Sequence, residues 1–283
     1  MSQPVVVGID ASDPAGSALD WASDEAQLRG VPLHVVHAWP GEAAVAPDGR
    51  EPTAIREIGE DLLDGARRRA LLRHPGLSVT AALLDDDPRA ALTDAAGSAA
   101  LLVVGARGTG GFPRLLLGST GLHAAATAPC PVVVVRPSEG ASGGIAVGVV
   151  GDGHDDAVLE LAFEAARRRR APLLAVHSWT YPLISTGGGR PPVYEKGHIA
   201  AEHERLLSEV LSGWRESHPE VSVSAVSVRS GAAKELVSRS KAQQLLVVGR
   251  RGEPKGPFGR LGSTSQTVVQ HAECPVAVVP LPA

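Results

Sequence analysis

Short β-branched runs alternate with longer amphipathic stretches along the whole chain. Val5 to Ile9 is apolar at every position and ends at Asp10, as expected of a strand buried on both faces. Ser12-Asp13-Pro14 then offers an N-cap and a proline for a first helical turn. Ala18, Leu19, Ala22 and Ala26 follow at helical spacing, and Gly30 closes the stretch. Leu33 to Ala38 reads as a second strand and Ile55 to Arg73, rich in Glu and Arg, as a second helix. Leu77 to Leu83, Pro88 to Ala96 and Leu101 to Val104 continue as strand, helix and strand. A last helix begins near Ser119, and Val132 to Val135 is a fifth strand.

The pattern then repeats. "VVVGID…GVPLHVVHAW" from Val5 returns as "IAVGVV…APLLAVHSW" from Ile145, and the helical stripe returns as Val158, Leu159, Ala162 and Ala166. "APCPVVVV" from Ala128 returns as "AECPVAVV" from Ala272. Between the copies, Arg136 to Gly144 has a linker's Pro/Ser/Gly composition. The expected organisation is two α/β domains, residues 1–138 and 143–283. Each is a five-stranded parallel sheet with helices on both faces, doubly wound and Rossmann-like or flavodoxin-like. With strand order 3-2-1-4-5, ligands are expected at the carboxyl ends of strands one and four, where the winding reverses.

Both copies place a glycine loop at that point. "GARGTGGFPRLLLGST" starts at Gly105 and "GRRGEPKGPFGRLGST" at Gly249. Each reads Gly, two residues, Gly, nine residues, Gly-Ser-Thr, with little agreement between. Such loops point backbone amides at an anion, and the helix expected after Gly118 adds free N–H groups and its positive dipole end. Hydroxyls of Ser119 and Thr120 are placed to cap that helix or to meet phosphate oxygen. Other phosphate motifs fail: no Gly-Lys-Ser/Thr occurs, "GIDASDPAG" lacks GxGxxG, and Pro113 spoils "GTGGFP".

With "VVGID" at the start and "CPVVVV" at the end, the two glycine patterns resemble the universal stress protein family, in a tandem form, over essentially the whole chain. The resemblance implies the order 3-2-1-4-5 in an adenine-binding (HUP-type) fold, and ATP, or ADP or AMP, as ligand with Mg. It implies that Gly105, Arg107, Gly108, Gly118, Ser119 and Thr120 hold phosphates and ribose, with Thr109, Gly110, Gly111 and Arg114 in the same loop. Asp10, beside Gly8, would take ribose hydroxyls or the divalent ion, and the backbone near Ala38 would meet adenine. The second set is Gly148, Gly249, Arg250, Arg251, Gly252, Gly262, Ser263, Thr264 and Ser265.

The copies depart from this pattern differently. Gly121 stands where the second copy has Ser265, which removes one phosphate-facing hydroxyl. Val150 stands in place of Asp10, with Asp152 out of register, and Glu253 and Pro254 lie inside the second loop. Two unequal sites are expected, the first tighter. Plainer readings accompany the sharp ones: Asp10 as a helix cap, His37 and His177 as structural residues, Cys130 and Cys274 as core, and Arg167 to Arg170 as a solvated helix end. His34 and His37 point to opposite faces and cannot readily share a metal. Pro182 to His198 reads as a surface loop, with a lid over the nucleotide as the alternative.

Composition removes some classes. With a net charge of −4, 3% aromatic residues and two cysteines, nothing favours nucleic-acid binding or a disulfide framework. No signal peptide or membrane span is read, and a cytoplasmic location is expected. No catalytic constellation stands out, so slow ATP hydrolysis is the most that is expected. The functional reading is an ATP-dependent stress or signalling regulator, with a nucleotide-free interaction module or an adenylyl-transferring enzyme as alternatives. The apolar last strands are candidate pairing edges, around a pseudo-twofold axis within the chain, and a homodimer is a further expectation.

Overall fold

The computed structural model describes residues 2–39, 52–108, 117–136, 143–181, 196–251 and 261–282. In the first half, β1 (Val5–Gly8), α1 (Asp13–Arg29), β2 (Leu33–Trp39), α2 (Pro52–Arg73) and β3 (Val79–Asp85) are followed by α3 (Pro88–Ala96), β4 (Leu101–Gly105), α4 (Ser119–Thr127) and β5 (Val132–Val135). The second half repeats this as β6 (Ile145–Val149), α5 (Asp156–Arg169), β7 (Leu173–Trp179), α6 (Lys196–Ser217) and β8 (Val223–Arg229). It ends with α7 (Ala232–Ser240), β9 (Leu245–Arg250), α8 (Ser263–His271) and β10 (Val276–Pro280).

All ten strands form one sheet of order β3-β2-β1-β4-β5-β10-β9-β6-β7-β8. Each half has the expected 3-2-1-4-5 order, and pairing within each half is parallel. The halves join where β5 and β10 run antiparallel, Val133 opposite Ala277. These strands are apolar throughout and almost wholly buried. Two edges that would otherwise offer unpaired amides therefore satisfy each other.

Apolar layers cover both faces, and each continues across the join. One contains the predicted stripes, with Ala18, Leu19, Ala22 and Ala26 on α1 and Val158, Leu159, Ala162 and Ala166 on α5 all buried. The other packs α3, α4, α7 and α8 on the opposite face and includes Cys130 and Cys274. Burial pushes the Cys130 thiol up to about 11 and the Cys274 thiol to about 12, so both act as small apolar groups.

The arginine run differs from its expected solvated state. Arg167 and Arg168 pair with Glu164 on their own helix, but Arg169 reaches the buried carboxylate of Glu25 on α1 and lies over the Trp21 ring. Arg29 holds the same carboxylate. A charge cluster is thus enclosed where α1 meets α5. Among the described residues, no helix is long and apolar enough to cross a membrane.

Candidate nucleotide site

The carboxyl ends of β1 and β4 converge in the first half. Ser12 caps α1, its Oγ accepting from Ala15 N at 3.3 Å, with Pro14 in the first turn. Asp10 is therefore not the helix cap. Its Oδ1 accepts from the Ser12 amide at 3.0 Å and from the Ser12 hydroxyl, which orients the capping residue. Ser12 Oγ also lies 3.3 Å from the Arg107 carbonyl, joining the loop after β1 to the loop after β4.

Close approach explains two of the glycines. A Cβ on Gly105 would stand 2.9 Å from the Pro14 carbonyl, so only glycine lets the first turn of α1 sit on β4. A Cβ on Gly108 would run into Asp10 Oδ2, so the carboxylate lies directly against the loop backbone. Gly118 is different. Its φ of −71° suits any residue, and among the described residues a Cβ there would make only ordinary contacts, 3.6 Å from Arg107 Cα. Asp10, Arg107, Gly108 and Gly118 are thus brought together, with Ser119 and Thr120 opening α4. Among the described residues no side chain caps that helix. Thr109, Gly110, Gly111 and Arg114 lie outside the described residues.

In the second half the same convergence forms a cleft, open to solvent, with a cavity of about 400 Å³. Gly148, Asp155, Ser178, Arg251, Gly262 and Ser263 are among its lining residues, together with Gly249, Thr264 and Ser265. Gly262 has a φ of −68°, and among the described residues nothing lies within 4 Å of a Cβ built on it. Among the described residues neither turn geometry nor packing requires glycine there, and its Cβ position lies at the start of α8, where no described side chain caps the helix. Ser178 occupies the place of Ala38 at the end of the second strand. Its buried Oγ makes no hydrogen bond among the described residues.

Three expectations for this half are corrected. The Ser265 hydroxyl donates to the Gly249 carbonyl at 2.7 Å, so it braces the end of β9 rather than facing a phosphate. Its absence at Gly121 removes no phosphate ligand, and Gly121 itself sits tightly against the Gly105 carbonyl. The Arg250 side chain is buried and turns to the first half, donating to the carbonyls of Ala126 and Ala128. It is not available to a phosphate. Asp152, judged out of register, nonetheless reaches the loop and pairs with Arg251. Slight burial would raise the Asp152 carboxyl, but the Arg251 hydrogen bond and charge hold it below the usual aspartate range.

Asp155 was missed. Its buried carboxylate accepts from Val150 N at 3.0 Å and Gly151 N at 2.6 Å, pinning the loop that Asp10 and Ser12 organise in the first half. The available signal was its place immediately before the helix in "GDGHDDAV". Gly252, Glu253 and Pro254, and most of the loop after β7, lie outside the described residues.

Histidines prove structural at the predicted places. His37 Nδ1 donates to the Ile9 carbonyl at 2.8 Å and His177 Nδ1 to the Val149 carbonyl at 3.1 Å, each fixing the strand end before the loop. His34 instead bonds Thr80 on β3. Gly8 and Gly148 make room for Leu92 and Leu236 respectively. Among the described residues no group of three or more His, Cys, Asp or Glu is placed to hold a metal.

The universal stress protein family model matches residues 1–136 and again 144–280. The universal stress protein Rv2623 of Mycobacterium tuberculosis (strain ATCC 25618 / H37Rv) is 33% identical over 97% of this chain and 95% of its own length. A crystal structure of a universal stress protein from Archaeoglobus fulgidus DSM 4304 superposes with a TM-score of 0.71, at 17% identity, over 99% of this chain and 97% of that one. The universal stress protein from Archaeoglobus fulgidus in complex with dAMP matches 48% of this chain and 98% of its own, at 28% identity and a TM-score of 0.38. The chain belongs to the universal stress protein family, in a tandem form that carries the family unit twice.

Proposed function

We propose that this chain is a cytoplasmic, nucleotide-responsive stress or signalling regulator that holds ATP, or ADP or AMP, in each of two domains, residues 1–138 and 143–283. The phosphates rest on the amides of the glycine loop and of α4 or α8, and adenine meets the end of the second strand at Ala38 or Ser178. Occupancy changes which proteins the chain engages.

The observation that carries this reading is Gly262: among the described residues neither turn nor packing demands a glycine there, at a helix start with no described side-chain cap beside a ligand-sized cavity. Helix amides and Arg251 supply complementary charge. A hydrogen bond to a charged group contributes about 1.5–3 kcal/mol, and several reach the roughly 8 kcal/mol of micromolar binding. Magnesium fits the first site by one route: Asp10, against the Gly108 backbone, would share the ion with phosphate oxygens, as this ion commonly binds. When bound it would neutralise phosphate charge.

The first site is the tighter. In the second, Asp152 already occupies Arg251, and the Asp155 carboxylate lines the cavity, so an incoming phosphate meets two acids. That observation also favours an empty second site as the alternative. Titration of nucleotide-free protein with ATP and Mg by calorimetry tests the proposal. Saturable micromolar binding, abolished stepwise by Gly118→Asp and Gly262→Asp, is expected; absence of saturable binding for ATP, ADP and AMP refutes it.

A further inference from the structure

We propose that Arg250 and Arg136 are positioning residues for the two nucleotide sites, each tying one half's glycine loop to the far end of the helix that serves the other half's site. The inference rests on the nucleotide reading of those loops.

Arg250 is the last residue of β9, immediately before Arg251 and the second loop. Its guanidinium crosses into the first half, where Nη1 donates to Ala126 O at 2.7 Å and Nη2 to Ala128 O at 2.6 Å. These carbonyls belong to the C-terminal end of α4, whose other end presents Ser119 and Thr120 to the first site. Arg136 does the reverse. It follows β5, whose Val135 carbonyl accepts from Ala106 N in the first loop at 2.9 Å. Its Nη2 donates to Val269 O at 2.7 Å and Gln270 O at 2.6 Å, at the C-terminal end of α8. The opposite end of α8 presents Ser263 and Thr264 to the second cavity.

The two arginines are not copies of one position. Ala106 stands where the second half has Arg250, and Pro280 where the first has Arg136. Two different positions therefore make the same cross-connection. Each helix is nine residues, so the guanidinium lies about 13 Å of helix axis from the amides it influences. That exceeds the screening length of about 8 Å at physiological salt. The arginine therefore acts by fixing the helix's tilt and register, as a rigid rod held at its far end. Burial and, after it, the Arg107 charge disfavour the charge on Arg136.

Single-site chains separate the remote effect from any local one. Gly262→Asp closes the second site, so ATP binding then reports the first alone; Gly118→Asp does the converse. In the Gly262→Asp chain, Arg250→Gln is expected to weaken ATP binding at the first site about tenfold, and Arg250→Lys to recover part of the loss. In the Gly118→Asp chain, Arg136→Gln is expected to do the same at the second site. Affinities are read well below each variant's thermal midpoint, where lost stability alone leaves them unmoved. Remote affinities within twofold of the parents' overturn the proposal while leaving the nucleotide reading intact. Parents that bind no nucleotide overturn both.

Discussion

Gly105 and Gly262 are both glycine, for opposite reasons. The first is filled from within, since the Pro14 carbonyl occupies the space of its Cβ; the second has no described neighbour within 4 Å of its Cβ position. Gly105→Ala is therefore expected to cost about 1–3 kcal/mol in urea unfolding, as overpacking against backbone does. Gly262→Ala should leave stability within about 0.5 kcal/mol and yet weaken nucleotide binding in the second half. Equal losses of stability at both positions would contradict this division. Asp152 supplies a complementary test. Because it engages Arg251, Asp152→Asn should tighten ATP binding at the second site several-fold, most clearly at low salt. Unchanged affinity in a titration of the Gly118→Asp background would mean that the pair does not compete with phosphate.

At the scale of elements, the repeat makes one helix a control for the other. Gly30 ends α1 at a φ of 67°, and Arg170 ends α5 at 49°, both left-handed, with the same pair of backbone bonds to the preceding turn. A side chain in that conformation costs about 1–2 kcal/mol. Arg170→Gly should accordingly raise the unfolding free energy by about 1 kcal/mol, after the entropy glycine adds to the unfolded chain. A lower unfolding midpoint would show that the Arg170 side chain contributes more than its strain removes. Strands and helices such as Pro88–Ala96 and Val132–Val135 were legible to the residue, because proline, N-cap and β-branched signals all agree there. Asp155 was not. The helical stripe aligns it with Ala15, and the different loop that makes it a pin is invisible until the backbone is placed. The roles of Arg250 and Ser265 were misread for a related reason: the motif fixes where the backbone runs, whereas side-chain direction depends on what lies behind it.

Across the whole molecule, the pairing of β5 with β10 followed from two apolar edges, but the charge cluster beneath it did not. Glu25 and Arg169 stand 144 positions apart, and no local pattern relates them. Burial alone would raise the Glu25 carboxyl; the charges of Arg169 and Arg29 overcome this and hold it below the usual glutamate range. A depressed folded value means that the stabilisation is full above the ordinary glutamate value of about 4.3 and fades as pH falls through the folded value. Glu25→Gln leaves two arginines near an uncharged group in a buried place, and is expected to cost about 3–5 kcal/mol at pH 7. Its deficit should shrink toward acid pH in chemical denaturation. A deficit that is constant between pH 7 and 3 would remove Glu25's charge from the account.

The central claim is that the glycine skeleton, written twice, makes two unequal nucleotide sites. It is tested most directly by denaturing the purified protein and quantifying released adenine nucleotide by chromatography against chain concentration, after saturation with ATP and Mg and rapid removal of free ligand. The account predicts between one and two nucleotides per chain, with the fraction that survives Gly262→Asp the larger. No nucleotide, or retention that both Gly118→Asp and Gly262→Asp leave untouched, would contradict it and make the skeleton architecture alone.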